Sequence, residues 1–298
     1  MGIIKQNTPN ASYTGPVLMI MAALLFTGMN LIIKVLNLEY NIWHIGFYRF
    51  FGGAVVILTI FGRKHNPYKG SNMRLLFIRG CIGSIAFISL IFAVRNIPVS
   101  TALVIFYSFP AFAAIAAFIL FDERIGKAEI LCITVVIIGV GILFDFQLEG
   151  DFLGQSMALI GGIFAGITVT IIRSLRAKNG PVVIYLYFCT IGALITFPMF
   201  IMNPLIPSTP VEWVMIIAIA LSSVLAQLLM TQGFGYCKGW EGGVFMSSEV
   251  NFTAIMGIIF LGDPASWRFW TGGLLIFGSV LLLNRLSSIN VIQAEKVD

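Results

Sequence analysis

Charge is what this sequence has least of. Asp and Glu number 13 and Lys and Arg 18 among 298 residues, 10% in all, where a soluble domain carries about 25%. A soluble globular fold is therefore excluded. Histidine occurs only at His44 and His65, neither with a histidine or cysteine nearby in sequence, so no metal site is expected. The four cysteines, Cys81, Cys132, Cys189 and Cys237, lie in or at the edge of apolar runs without disulfide or zinc spacing, the pattern of buried inert thiols. The sequence lacks a glycine-rich phosphate loop and any stretch long enough for an ATPase domain. It lacks the convergent His/Asp/Glu set that an intramembrane enzyme needs near a membrane face. A filter-like loop or ring of charges, expected of a channel, is missing too. No catalytic residue and no cofactor is expected. The net charge of +5 is spread out rather than gathered on one face, so nucleic-acid binding is not expected.

Apolar runs are what the chain does have, with 58% hydrophobic residues. A helix rising 1.5 Å per residue needs about 20 apolar residues to cross a bilayer. Ten segments qualify: Pro16–Leu36, Asn41–Phe61, Arg74–Val94, Pro98–Phe121, Lys127–Phe144, Phe152–Ile172, Pro181–Met202, Val211–Gly235, Gly242–Gly262 and Trp267–Asn284. Residues 1–15 and 286–298 read as polar tails, and the first span as a retained helix rather than a cleaved signal. Placing the N-terminus in the cytoplasm puts thirteen Lys and Arg on that side and only Lys34, Arg95 and Arg268 opposite, so both termini are expected to be cytoplasmic. The expected class is an all-α integral membrane protein of the cell (inner) membrane.

The fourth span is unusual. Val99 to Phe121 runs uncharged through Pro110 and stops at Asp122, Glu123 and Arg124. A mid-span proline frees a backbone carbonyl, tolerable in a membrane only where protein or a wet cavity satisfies it. Pro110 is thus the candidate kink and moving part. The chain also repeats at half length. Phe121–Glu123 can be laid over Leu261–Asp263, which pairs Pro110 with Val250, and Lys34 matches Arg173. Asp145–Asp151 is the acidic link between halves 16–144 and 152–285. Five spans per half is odd, so the second half enters from the opposite side. The fold class expected is ten transmembrane helices as two inverted five-helix repeats.

Ordered short motifs accompany this repeat. They include Phe26-Thr27-Gly28 to Lys34, Phe47-Tyr48-Arg49-Phe50, Leu75 to Gly80, Phe92-Ala93-Val94-Arg95 through Phe121-Asp122-Glu123, and Ser248-Glu249 with Leu261-Gly262-Asp263. On these residues the chain resembles the EamA-like branch of the drug/metabolite transporter superfamily over nearly its whole length. The resemblance implies transport of small metabolites such as amino acids, drugs, nucleotide-sugars, polyamines or S-adenosylmethionine. Two departures stand out: Val250 replaces the family's common proline, and Asp263-Pro264 replaces its usual Glu. The second half is thereby left without an evident kink.

A charge at the bilayer centre costs roughly 2.5–3.5 kcal/mol even on translocon scales, so each buried one needs a partner or a purpose. Glu249 lies mid-way along the ninth span and is a candidate for binding a substrate ammonium, carrying a proton or pairing with a neighbouring helix. Arg49, deep in the second span, either faces a cavity, ion-pairs with Glu249 or binds a substrate carboxylate, for which its fork is shaped. Arg79, one turn inside the third span, is within reach of the headgroups and is expected to snorkel there. Asn30, Gln227 and Asn251 are expected to face the bundle interior, as interhelical glue or as substrate contacts. The five tryptophans sit near span ends as an interfacial belt. Tyr48, Phe106, Tyr107, Phe109, Tyr185, Tyr187 and Phe245 are candidate cavity walls. Together these residues predict alternating-access transport of a small amphipathic metabolite, an amino acid first and S-adenosylmethionine second. The partners expected are substrate, bilayer and protons, with either a monomer or a homodimer compatible.

Overall fold

The computed structural model describes residues 11–62, 66–121, 152–236 and 239–263, with scattered positions between 130 and 142 and between 267 and 282. The first half contributes α1 (Ala11–Val35), α2 (Ile42–Phe61), α3 (Met73–Asn96), α4 (Val99–Phe106) and α5 (Phe109–Phe121). The second contributes α6 (Phe152–Arg176), α7 (Pro181–Met202), α8 (Pro210–Gly233), α9 (Gly239–Met246), α10 (Ser248–Met256) and a π-helical turn at Gly257–Leu261. Counting α4 and α5 as one span, seven helical segments among the described residues are long and apolar enough to cross a membrane. The Asp145–Asp151 link, most of the expected fifth span, most of both tails and part of the tenth span lie outside the described residues.

Helix starts follow local chemistry. Asn41 caps α2 by accepting from the Trp43 and His44 amides, while His44 Nδ1 accepts from the Asn41 amide at 3.2 Å. His44 Nε2 also contacts the Asn203 carbonyl at 2.6 Å. His44 is a capping residue that ties α2 to the end of α7. Pro181 and Pro210 open α7 and α8, where a missing N–H breaks no helical bond.

The burial pattern is inside-out relative to a soluble protein. Ile119, Leu194, Val214 and Phe260 are exposed, whereas Arg49, Arg79, Asn30 and Glu249 are buried. Such an apolar exterior suits hydrocarbon. Helix partners show an exchange pattern between the halves. α1 packs on α8 and α3 on α6, while α2 packs on α7. Likewise α4 packs on α10 and α5 on α9. Swapping the halves returns the same set of pairs, as an approximate twofold relation requires.

Both halves contain a broken span. The expected single kinked helix Pro98–Phe121 is two helices, interrupted at Tyr107 and Ser108, and α9 and α10 are interrupted at Ser247. The two breaks match position for position. Ser108 Oγ donates to the Ile105 carbonyl and Ser248 Oγ to the Phe245 carbonyl, both at 2.7 Å. The preceding amides also correspond: Tyr107 N donates to Leu103 O at 2.8 Å and Ser247 N to Gly243 O at 2.9 Å. The second half is therefore broken although Val250 stands where the family commonly has a proline. A hydroxyl bonding back to a carbonyl three residues earlier competes with the helix ladder whether or not a proline follows.

Pro110 adds one feature of its own. Lacking an N–H, it leaves the Phe106 carbonyl without its usual helical donor. That carbonyl lies against Gly162 of α6, where an added Cβ would come within 2.9 Å of it, and Gly166 has the same tight relation to Phe109 O at 2.8 Å. The two glycines bring the α6 backbone against the break.

Candidate functional site

The breaks in the two halves meet near the middle of the bundle, beside a cavity of about 100 Å³ whose walls come from α1–α4, α6–α10 and the start of α5. Its polar groups fall into two clusters. The acidic cluster is built on the first turn of α10, where a carboxylate also meets the positive end of the helix dipole. Glu249 is 3% exposed. Its Oε2 accepts from Tyr107 Oη at 2.5 Å and its Oε1 from Asn30 Nδ2 at 2.8 Å. Thr27 Oγ1 reaches the Glu249 carbonyl at 3.5 Å and accepts from Thr253 Oγ1 at 3.2 Å. Tyr107 occupies the break itself, so a movement of α4 against α5 acts directly on Glu249.

The basic cluster faces it from α2 and α3. Arg49 and Arg79 are each 1% exposed. Arg49 Cζ lies 3.4 Å from the Phe87 ring centroid and 5.3 Å from those of Phe50 and Phe188. Arg79 Cζ lies 4.0 Å from the Phe188 centroid, and its Nη2 donates to Gln227 Oε1 at 3.4 Å. Among the described residues, Arg49 Nε, Nη1 and Nη2 and Arg79 Nε and Nη1 have no hydrogen-bond partner. A cation–π contact is worth about 0.5–2 kcal/mol, whereas desolvating a charge costs several kcal/mol. Aromatic stacking alone does not balance these two guanidiniums. Gly83 makes the stacking possible, since a Cβ there would stand 3.0 Å from Arg79 Nη1 and 3.2 Å from the Phe188 ring.

Of the residues singled out in the sequence, Glu249, Arg49, Asn30, Gln227 and Tyr107 line this one cavity, along with Phe106 and Phe109. Arg49 does not ion-pair with Glu249, whose oxygens are held by Tyr107 and Asn30. Asn251 corrects an expectation: it is exposed, because two residues beyond Glu249 on a helix is about 200° around the axis. Tyr187 and Phe245 stand off the cavity. Tyr187 Oη donates to the Tyr68 carbonyl at 3.2 Å, and Phe245 packs half-buried while its carbonyl receives Ser248. Tyr48 donates to Leu205 O at 2.6 Å instead of facing the cavity. Pro110 is buried at the second position of α5. The snorkelling expected of Arg79 does not occur. Because α3 begins at Met73, Arg79 lies six residues, or about 9 Å, down the helix. Phe87 and Phe188 went unmarked in the sequence, where nothing separates them from the other phenylalanines.

One end of the bundle is tied by buried bonds. Asp263 Oδ2 accepts from the Ser100 amide at 2.9 Å and the Ser100 hydroxyl at 2.7 Å, capping the first turn of α4 from the opposite half. Lys34 Nζ donates to the Ile97 carbonyl at 2.8 Å, and Arg95 donates to four carbonyls from Ile33 to Tyr40. The substitution of Asp for the usual Glu at position 263 thus falls on a contact between halves.

Comparison with known proteins agrees with this architecture. The model of the EamA-like transporter family matches twice, over residues 13–144 and 152–285. The chain is similar to the pseudopaline exporter CntI of Pseudomonas aeruginosa, with 24% identity over 91% of this chain and 96% of that one. It is also similar to solute carrier family 35 member G1 of Homo sapiens, with 23% identity over 85% of this chain and 73% of the relative. A solved crystal structure shares the fold with a TM-score of 0.68 at 16% identity, covering 91% of this chain and 96% of the other. Two matches, one to each half, leave no half unassigned: this multi-pass membrane protein belongs to the EamA-like transporter family, whose members are transporters and not enzymes.

Proposed function

We propose that the chain is a secondary transporter that moves a small amphipathic metabolite, an amino acid or a related zwitterion, by alternating access. Two inverted halves, residues 16–144 and 152–285, rock about the central cavity, with both termini in the cytoplasm of a cell with the bilayer as partner. One observation carries this reading. The cavity lies where the two matched breaks cross, and its polar groups come from both halves, Arg49 and Tyr107 from the first and Gln227 and Glu249 from the second. A ligand held there loads the interface that must open and close. The cavity of about 100 Å³ is small beside the ~300–1,000 Å³ of drug-sized sites, so cargo passage requires the broken helices to part. Glu249 is the group through which proton coupling would run.

The pseudopaline exporter among the relatives lends support to small-metabolite export as the direction of transport. S-adenosylmethionine, the second candidate, carries a fixed sulfonium charge that two buried guanidiniums disfavour. The reading is tested by reconstituting the purified protein in liposomes loaded with amino acids and measuring counterflow of the labelled compounds. Exchange above that of protein-free liposomes is expected for at least one zwitterion. Binding without any exchange would refute transport.

A further inference from the structure

The two guanidiniums narrow the cargo further, given that the cavity is a transport site. Both Cζ atoms lie within 5.3 Å of the centroid of one ring, Phe188, so two like charges share one wall. A guanidinium lying on a ring face keeps its in-plane N–H edge free, and that edge is the one a carboxylate engages in bidentate fashion. Five of the six guanidinium nitrogens have no partner among the described residues, and the exception is the long contact to Gln227. The nearest acid in the cavity does not neutralise them, because Glu249 is held on the other wall by Tyr107 and Asn30. The charged groups of the cavity therefore number two cations on one wall and one acid on the other. Their complement is a molecule with two carboxylates and one ammonium.

We infer that the cargo is an amino acid bearing a second carboxylate, seated with its two acid groups on Arg49 and Arg79 and its ammonium toward Glu249. An amino acid with a single carboxylate leaves one guanidinium uncovered, and a cationic one adds repulsion. Inorganic phosphate would satisfy the forks but offers nothing to Glu249. Length is limited by the small cavity, which favours four- and five-carbon skeletons over longer ones.

The test is the melting temperature of the purified protein in detergent with L-aspartate, L-glutamate, their amides L-asparagine and L-glutamine, L-lysine, or inorganic phosphate. The acids are expected to raise it by ~3 °C and the amides and lysine by much less. This acid-against-amide contrast is read in the unaltered protein and does not depend on any variant folding. Arg49→Met and Arg79→Met should each abolish the rise, and Arg49→Lys should leave a reduced one. Equal rises with the amides, with lysine or with phosphate would overturn the assignment, as would no rise with either acid. Failure of the transport reading looks different: the acids would bind and depend on Arg49, yet no counterflow would follow in liposomes. Conversely, counterflow of a neutral or cationic compound that survives Arg49→Met would keep transport and discard the dicarboxylate.

Discussion

Glu249 is held so that both carboxylate oxygens receive a donor, one from the break in the first half and one from α1. Replacing Glu249 with Gln keeps the shape but removes the charge that an ammonium or a proton would need. Each hydrogen bond to a charged group is worth about 1.5–3 kcal/mol, so counterflow by Glu249→Gln should fall at least roughly tenfold and lose its dependence on pH. Unchanged counterflow and pH dependence would sink both roles given to that side chain. At this scale the sequence was a good guide to charged residues and a poor one to aromatics. An ionisable group in an apolar span costs enough to be conspicuous, which is why Glu249 and Arg49 stood out. Arg79 was conspicuous too, but its depth depended on where α3 begins, and a shift of one residue at a helix start moves a side chain by 1.5 Å. Phe87 and Phe188 carry no such signal, because nearly all of the 26 phenylalanines share the apolar spans and only packing decides which ones meet a guanidinium.

In the proposed mechanism the broken helices couple the site to motion. Pro110 drew attention in the sequence because proline is the residue known to interrupt a helix. The second half is interrupted without one, at a break where Ser248 bonds back to Phe245 as Ser108 does to Ile105. In the proposed mechanism the hinge falls on the serine-bearing breaks, with the proline as a reinforcement in one half. Pro110→Ala should accordingly keep counterflow within roughly fivefold of the unaltered protein, since the bond at stake is worth about 1 kcal/mol. The double substitution Ser108→Ala and Ser248→Ala removes the competing bond from both halves and should slow counterflow by roughly tenfold, with cargo binding by thermal shift retained. The reverse ranking would return the hinge to the proline. A serine in a membrane helix is too common to mark a break by itself. Laying the two halves over each other places Ser108 on Ser248, a coincidence that the sequence carries although a proline marks a break more plainly.

At the scale of the whole molecule, the exchange of partners between halves organises everything else. α1 with α8 and α3 with α6 form equivalent contacts, and α4 with α10 and α5 with α9 cross at the cavity. In the proposed mechanism a bundle with that relation alternates between two related arrangements, one with each end closed. The bonds from Ser100 to Asp263, Lys34 to Ile97 and Arg95 to its four carbonyls tie one end. Spans and repeat were legible because apolar length and period survive sequence change, whereas the interlocking pairs depend on small residues such as Gly162 and Gly166 that read only as general packing. The central claim is that the cavity is reached alternately from the two sides of the membrane. It is tested most directly by Thr168→Cys, a near-isosteric change on the cavity wall, in a background with Cys81, Cys132, Cys189 and Cys237 replaced by alanine. Labelling is followed with a membrane-impermeant maleimide applied to either face of sealed vesicles. Alternating access predicts labelling from both faces, with the ratio shifted by L-glutamate. Labelling from one face only, at a ratio no cargo changes, would contradict it.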